Sequence, residues 1–324
     1  MVKSLVVGDP HIKPSNISEG RNLIGFIIKI SKKEKVDQII FLGDMFHTHA
    51  VKRLEVEHFW VQSLEQIDKK CILLCGNHDQ IGNKEQEREI NSLNVLKNLS
   101  VVVNTPYTDN KIAYIPYMSN KDKFIDEANK MYDEGARLLI VHQTFQGATY
   151  ENGFYAPEGI DLNLLKFDEV ISGHIHKSQQ LGKCFYPGTP KWDTTSDANE
   201  DKGIWVFEHN EDGSTKDKKF FSTAKVVTPI YKFVVTEGEE LPKLSTNAKN
   251  HIELIGSSAW IKKTAKKIGK KASIKQKPTD RNTRVAVENK SININNYLNE
   301  IFLTIPNVKK EDISNYLEDL NGRV

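Results

Sequence analysis

The chain has 324 residues, 38% hydrophobic and 27% charged, with a net charge of +2. This is the make-up of an ordinary globular protein, long enough for one substantial core and a second small domain. No apolar run approaches the roughly 20 residues needed to span a bilayer, and the apolar part of MVKSLVVGDP is too short for a secretory signal. A cytoplasmic protein without a membrane partner is therefore expected.

The first two hundred residues alternate short apolar runs with longer amphipathic stretches. Leu5–Val7, Ile39–Leu42, Ile72–Leu74, Leu138–Val141 and Val170–Ile171 read as buried strands. Glu19–Ser31, Arg53–Asp68 and Lys84–Asn98 read as helices. In the second of these, Val56, Phe59, Trp60, Leu64 and Ile67 share one face. Repeated strand and helix predict an α/β domain with helices covering a sheet, each motif-bearing strand ending at one edge of it. Cys71, Cys75 and Cys184 are odd in number and suggest no disulfide framework, so they read as reduced core thiols.

From Gly182 onward strands follow one another without long helices: Lys183–Tyr186, Gly203–Glu208 and Lys218–Ser222. Asp212-Gly213 marks a hairpin turn between the last two. These strands are expected to form the second half of a two-sheet sandwich. A boundary near Val226–Pro229 then opens a small α+β module at 227–288. In it Ile230–Thr236, His251–Ile255 and Ala272–Lys275 read as strands, and Ser257–Ile268 as a serine-capped helix. Residues 289–324 hold two amphipathic pieces split by Pro306: Tyr297, Leu298, Ile301, Phe302 and Ile305, then Ile313, Tyr316, Leu317 and Leu320. The domain at 1–226 precedes both.

Five motifs begin where apolar runs stop: Gly8-Asp9-Pro10-His11, Gly43-Asp44-Met45-Phe46-His47, Gly76-Asn77-His78-Asp79, Val141-His142-Gln143 and Gly173-His174-Ile175-His176. In open α/β sheets, ligands bind outside the carboxyl ends of strands, where distant loops converge. With His49 counted beside the second motif, seven of the ten histidines fall in this set. Asp, Asn and His without thiolates make a mixed oxygen and imidazole donor set, suited to manganese, iron or zinc. Two such ions about 3.5–4 Å apart can hold a phosphate, activate a water and stabilise the leaving oxygen. They require a shared carboxylate, for which Asp44 is the natural candidate.

These motifs resemble those of the calcineurin-like metallophosphoesterase superfamily, over residues 1–190. The resemblance implies a four-layer β-sandwich flanked by helices, mixed α/β in class, with two divalent cations, most characteristically Mn2+. Carried over, Asp9, His11, Asp44 and His176 would serve one cation, and Asp44, Asn77, His142 and His174 the other. His78 would stand unliganded, placed to contact the scissile phosphate or protonate the leaving oxygen. Asp79 would orient it or pair nearby; an ordinary surface carboxylate is the equal alternative.

Protein phosphatases of the superfamily usually carry Asp-Arg-Gly at the second motif; here Phe46 and His47 follow Asp44-Met45. This looks like the SbcD-type DNA-repair nucleases, in which His47 would reach the phosphate, while His49 reads as a surface histidine. Phe185-Tyr186-Pro187-Gly188-Thr189-Pro190 is similar to a segment of the same nucleases, and residues 228–287 to their capping domain. Between Ala259 and Arg284 ten Lys or Arg stand against one Asp. Lys262, Lys263, Lys266, Lys267, Lys270 and Lys271 are thus candidates for contacts to a phosphate backbone, or else a solvated helix face.

The resemblance further implies a bacteriophage-encoded subunit acting on DNA in repair, recombination or replication. It would work with an SbcC-type ATPase whose coiled coil docks on the C-terminal stripes, which otherwise pack on the cap, and it could form a homodimer. The same chemistry on a small-molecule or RNA substrate is the alternative.

Overall fold

The computed structural model describes residues 2–49, 51–82 and 89–280. The first sheet has the order β12-β11-β1-β2-β3-β4. Its strands are β1 (Lys3–Val7), β2 (Gln38–Phe41), β3 (Lys70–Leu74), β4 (Val101–Val103), β11 (Gly203–His209) and β12 (Thr215–Ser222). The second sheet has the order β5-β6-β7-β8-β10-β9. It contains β5 (Tyr107–Asp109), β6 (Ile112–Ile115), β7 (Leu138–His142), β8 (Glu169–Gly173), β9 (Gln179–Leu181) and β10 (Cys184–Tyr186).

Residues at alternate positions of a strand face opposite ways, and the cores follow that rule. Val6, Ile40, Leu42, Ile72 and Leu74 from one sheet meet Ile112, Tyr114, Leu138, Ile140 and Ile171 from the other. Leu5, Val7, Ile39 and Phe41 point outward instead, under α1 (Ile17–Glu34) and α2 (Leu54–Glu65). α1 contributes Leu23, Ile24, Ile27 and Ile30, the spacing of one helical face, and stops at Lys35 in the left-handed region (φ +54°). On the far side of the second sheet, α3 (Lys121–Asp133) buries Phe124, Ala128 and Met131 against Leu139, Val141 and Val170. Helix, sheet, sheet and helix make the four layers expected.

Three features depart from the sequence reading. The five motif-bearing strands do not share one sheet: β1, β2 and β3 belong to the first, β7 and β8 to the second. Likewise the strands after Gly182 do not make one half of the sandwich by themselves; β10 lies in one sheet, and β11 and β12 in the other. The expected helix at Lys84–Asn98 is, in its described part, only a short 3-10 turn at Ser92–Leu96. Leu93 and Leu96, three apart, are its buried residues, a spacing that suits three residues per turn as well as 3.6.

The described residues divide into two compact units, those within 1–233, 241–252 and 270–273, and those within 234–240, 253–269 and 274–280. Strands β13 (Ile230–Thr236), β14 (Lys249–Gly256) and β15 (Ser273–Pro278) are ordered β13-β14-β15. Helix α4 (Ser258–Ile268) in the second unit buries Ile261, Thr264 and Ile268, and the Ser257 hydroxyl accepts the Trp260 N–H at 3.3 Å as its cap. The amphipathic stripes around Pro306 lie outside the described residues. Cys71, Cys75 and Cys184 are buried and form no disulfide among the described residues. No helix of the described residues is long and apolar enough to cross a membrane.

Candidate metal centre

The loops that leave β1, β2, β3, β7 and β8 converge on two groups of donor atoms. Asp9, His11 and His176 form one, Asp44, His142 and His174 the other, with donor atoms within 4.8 Å of one another in each. Asn77 joins the second: its Oδ1 lies 3.0 Å from His142 Nε2 and 2.9 Å from His174 Nδ1. Asp44 Oδ2 stands between the groups, 3.6 Å from His11 Nε2 and 3.5 Å from His142 Nε2. All seven residues named as ligands from the sequence are thus brought together.

The backbone reaches this arrangement at a conformational cost. His11 (φ +42°), Asp44 (φ +50°) and His174 (φ +78°) occupy the left-handed region, which residues with a Cβ rarely adopt and which concentrates at functional sites. Two glycines make room. A Cβ on Gly76 would lie 2.2 Å from Asp44 Oδ1, and one on Gly43 2.5 Å from His142 Nδ1.

Outer contacts fix the donors. His142 Nδ1 lies 2.7 Å from the Leu42 carbonyl and donates to it, so Nε2 is the nitrogen left to face the site. The His174 N–H donates to Asp9 Oδ2 at 2.7 Å, and the His78 N–H to Asp44 Oδ1 at 2.9 Å, turning Oδ2 towards both groups. Trp60 Nε1–H donates to the Met45 carbonyl at 3.2 Å and anchors the second loop to α2. The buried Lys202 ammonium donates to the His176 carbonyl at 2.8 Å, with Asp197 and Glu200 each 2.8 Å away.

The charges in this space are strongly coupled. Burial pushes the Asp9 carboxyl up to about 6. Burial would raise Asp44 too, but His142, His11 and His78 outweigh it and hold Asp44 well below the ordinary carboxylate range. Burial disfavours the His142 imidazolium, yet Asp44 and Asp9 lift it to about 9. His174 is driven down to about 3 by burial and by His142, and burial drives His11 well below its usual value. Asp9 Oδ1 and His11 Nδ1 are buried without a hydrogen-bond partner, while His11 Nε2 and His176 Nε2 face each other at 3.0 Å. Ring nitrogens, amide oxygen and carboxylates converging without enough protons to satisfy them form a donor set that fits divalent cations.

His78 and His47 border the centre. The His78 ring centroid is 4.9 Å from that of His11, and His47 lies 5.6 Å from His11. His78 Nδ1 lies 2.7 Å from the His47 carbonyl. Asp79 is not a surface carboxylate, nor does it contact the His78 ring. It is buried and accepts the N–H groups of Phe46 (3.1 Å), Gly76 (3.1 Å) and Met45 (3.4 Å), stapling the second loop to the third. Burial, with Asp44 adding, raises its carboxyl to about 7. His49 is not a bystander either, since its ring sits 4.1 Å from that of His78.

Two further groups have no counterpart in the sequence reading. Tyr117, beyond β6, lies nearly parallel to His174 (22°, 6.0 Å between centroids). Asp193 receives Lys191 at 3.0 Å and Lys13 at 3.1 Å and stands 3.8 Å from His47 Nδ1. Lys191 is 1% exposed. A lysine buried that deeply needs a carboxylate, but neither partner lies in a recognisable motif. The six lysines proposed from the sequence, Lys262, Lys263, Lys266, Lys267, Lys270 and Lys271, are all exposed. Among the described residues none of them forms an ion pair, whereas Lys275 and Lys277 are both paired with Glu253.

A two-sheet sandwich with oxygen and imidazole donors at its strand ends is the architecture of a metallophosphoesterase. The calcineurin-like phosphoesterase family model matches residues 2–178, more than half of the chain, and the chain belongs to that family. Its divalent-cation chemistry comes with membership. A curated relative, exonuclease subunit 1 of Enterobacteria phage T4, is 27% identical over 198 residues, 56% of this chain and 56% of that protein. The chain thus spans little more than half the length of that relative. Among solved structures, TT1561 of Thermus thermophilus has a TM-score of 0.44 at 11% identity, covering 68% of this chain and 98% of its own. GAP50, the anchor in the inner membrane complex of Plasmodium, has a TM-score of 0.40 at 14% identity, covering 68% and 88%.

Proposed function

We propose that the chain is a metal-dependent DNA exonuclease and endonuclease subunit that hydrolyses phosphodiester bonds at the Asp44 centre. The observation that carries this reading is the position of Asp44 Oδ2, 3.6 Å from His11 Nε2 and 3.5 Å from His142 Nε2, between two complete donor groups. Asp9, His11 and His176 would hold one cation with Asp44; Asn77, His142 and His174 the other. Two bound cations, Mn2+ on this reading, would polarise the phosphate and activate the attacking water. His78 donates from Nδ1 to the His47 carbonyl, and as the imidazolium it would carry on Nε2 the proton passed to the leaving oxygen. His47 places the phosphate, steadied by Asp193.

DNA as the substrate is supported by Met45-Phe46-His47 in place of the phosphatase pattern, by Tyr186-Pro187-Gly188-Thr189, and by the similarity to a phage exonuclease subunit. Residues 1–226 would form the nuclease domain and 227–288 a cap whose exposed lysines follow the phosphate backbone largely independently of sequence. Residues 289–324 would dock the coiled coil of an SbcC-type ATPase, in a complex serving DNA repair, recombination or replication in the host cytoplasm. A homodimer through the nuclease domain is part of the same reading.

The test is degradation of end-labelled duplex DNA in Mn2+, alongside bis-p-nitrophenyl phosphate, for wild type and Asp44→Ala, with and without the ATPase. DNA cleavage that vanishes with Asp44 is expected. Turnover of the generic diester with no DNA cleavage in any condition would contradict the DNA reading and favour a small phosphodiester.

A further inference from the structure

On the His174 side of the centre lies a cleft of about 360 Å³, lined among others by Tyr117, Tyr150, Lys121, Gln143, Pro157 and His174 itself. That volume falls at the lower end of small-ligand sites, roughly 300–1,000 Å³. One wall is therefore a candidate metal ligand, and the rest is divided between rings and apolar surface on one hand and polar groups that include Ser119, Thr144 and Glu158 on the other.

Among the described residues the two tyrosines are held from the backbone rather than by their hydroxyls. The Tyr117 N–H donates to the Cys75 carbonyl at 2.8 Å, and the Tyr117 ring runs nearly parallel to His174. Tyr150 begins a loop closed on itself, its N–H donating to the Phe154 carbonyl and its carbonyl accepting from Gly153, each at 2.9 Å. Burial, with Asp44 and Tyr150 adding, raises the Tyr117 hydroxyl, so the phenol beside the centre stays neutral. Two of the longer polar side chains are already engaged. The Gln143 amide donates to the Met118 carbonyl at 2.7 Å, and the Lys121 ammonium to the Glu158 carbonyl. What remains for a ligand's flat face is the two tyrosine rings, next to groups that would hold a cation and, on the reading above, its phosphate.

We propose that this cleft is a nucleobase site, in which Tyr117 and Tyr150 stack the base of the nucleotide whose phosphate sits at the Asp44 centre. The proposal rests on the phosphodiesterase reading of that centre and adds the part of the substrate beyond the phosphate. Stacking on an aromatic ring reads the face of a base and not its edge. The site therefore tolerates all four bases and favours purines for their larger face. A base seated there has left its duplex stack, so unpaired or fraying nucleotides are the preferred substrate.

The base contribution can be isolated without DNA cleavage. Inhibition of bis-p-nitrophenyl phosphate turnover is measured with 2′-deoxyadenosine 5′-monophosphate and with 2-deoxyribose 5-phosphate, which carries a hydroxyl where the nucleotide has its base. In wild type the nucleotide should inhibit at roughly fivefold to a hundredfold lower concentration, the range of one base–aromatic stack. Thymidine 5′-monophosphate should fall between the two. The ratio should collapse towards one in Tyr117→Ala and Tyr150→Ala and persist in Tyr117→Phe, which keeps the ring. Where a variant loses turnover, equilibrium dialysis with the same two compounds supplies the ratio. A wild-type ratio near one, or a ratio unchanged in both alanine variants, would overturn the base site. An intact, tyrosine-dependent ratio in a protein that degrades no DNA would instead keep the site and overturn the DNA reading.

Discussion

The metal centre and helix α4 both present groups suited to phosphate, yet they are built in opposite ways. Asp9, His11, Asp44 and His142 are at most 3% exposed, come from loops up to 133 positions apart, and are held by outer contacts such as His142 to Leu42 and His78 to Asp44. The lysines of α4 are exposed, close together in sequence and, among the described residues, free of ion pairs. Interactions in a water-excluded space are strong and geometrically exacting, whereas exposed charges act additively through a screened field. The comparison teaches what each region can contribute. Substitution in the centre should act steeply and all at once; substitution on the helix should act in small, salt-dependent steps.

The steepest effect is expected at the shared carboxylate. Asp44→Ala should reduce diester hydrolysis well beyond the roughly 10–100-fold typical of losing an outer-shell partner, since it removes a donor from both groups. Steady-state turnover in Mn2+ checks this, and a loss under tenfold would break the contrast. His78→Ala comes next. It should lower kcat about 10²–10⁴-fold, the range for a lost proton donor, while leaving metal binding in place. Equal metal loss in His78→Ala and Asp44→Ala would remove the role given to His78.

A histidine outside the centre sharpens the comparison, because it is buried without a charged partner. His209 contacts Ser4 Oγ at 3.0 Å, and burial lowers its pKa from 6.5 to about 4. The neutral ring therefore favours the fold fully above the unfolded value, and that stabilisation is lost as pH falls from 6.5 through about 4. The shift corresponds to about 3 kcal/mol. Denaturant melts of His209→Gln across this window should show a correspondingly shallower acid limb. The smallest effect belongs to α4. Lys266→Gln with Lys267→Gln should reduce the slope of log affinity for duplex DNA against log salt by about two. An unchanged slope would leave those lysines a solvated face.

Much of this was legible in the sequence, and the failures have physical causes. β1, β2, β3, β7 and β8 announce themselves because strands buried on both faces are continuous apolar runs, and the motifs follow them directly. The sheet assignment was not legible, because pairing is decided by crossovers that local pattern does not record. α3 escaped notice because only Phe124, Ala128 and Met131 of its thirteen residues are buried. Asp79 was misjudged because the N–H groups it accepts from the second loop lie more than thirty positions away. Tyr117 was missed for the same reason, and so was Asp193 as a neighbour of Lys13 and His47, although Lys191 is only two residues from it. Pro116-Tyr117 at the end of the unrecognised strand β6 was the available signal.

The measurement closest to the central claim is the count of Mn2+ bound per chain at equilibrium, taken for wild type, His78→Ala and Asp44→Ala. An Asp44-bridged centre predicts two ions in the first two proteins and fewer than two in the third. A single ion in wild type, or two retained without the Asp44 carboxylate, would contradict it.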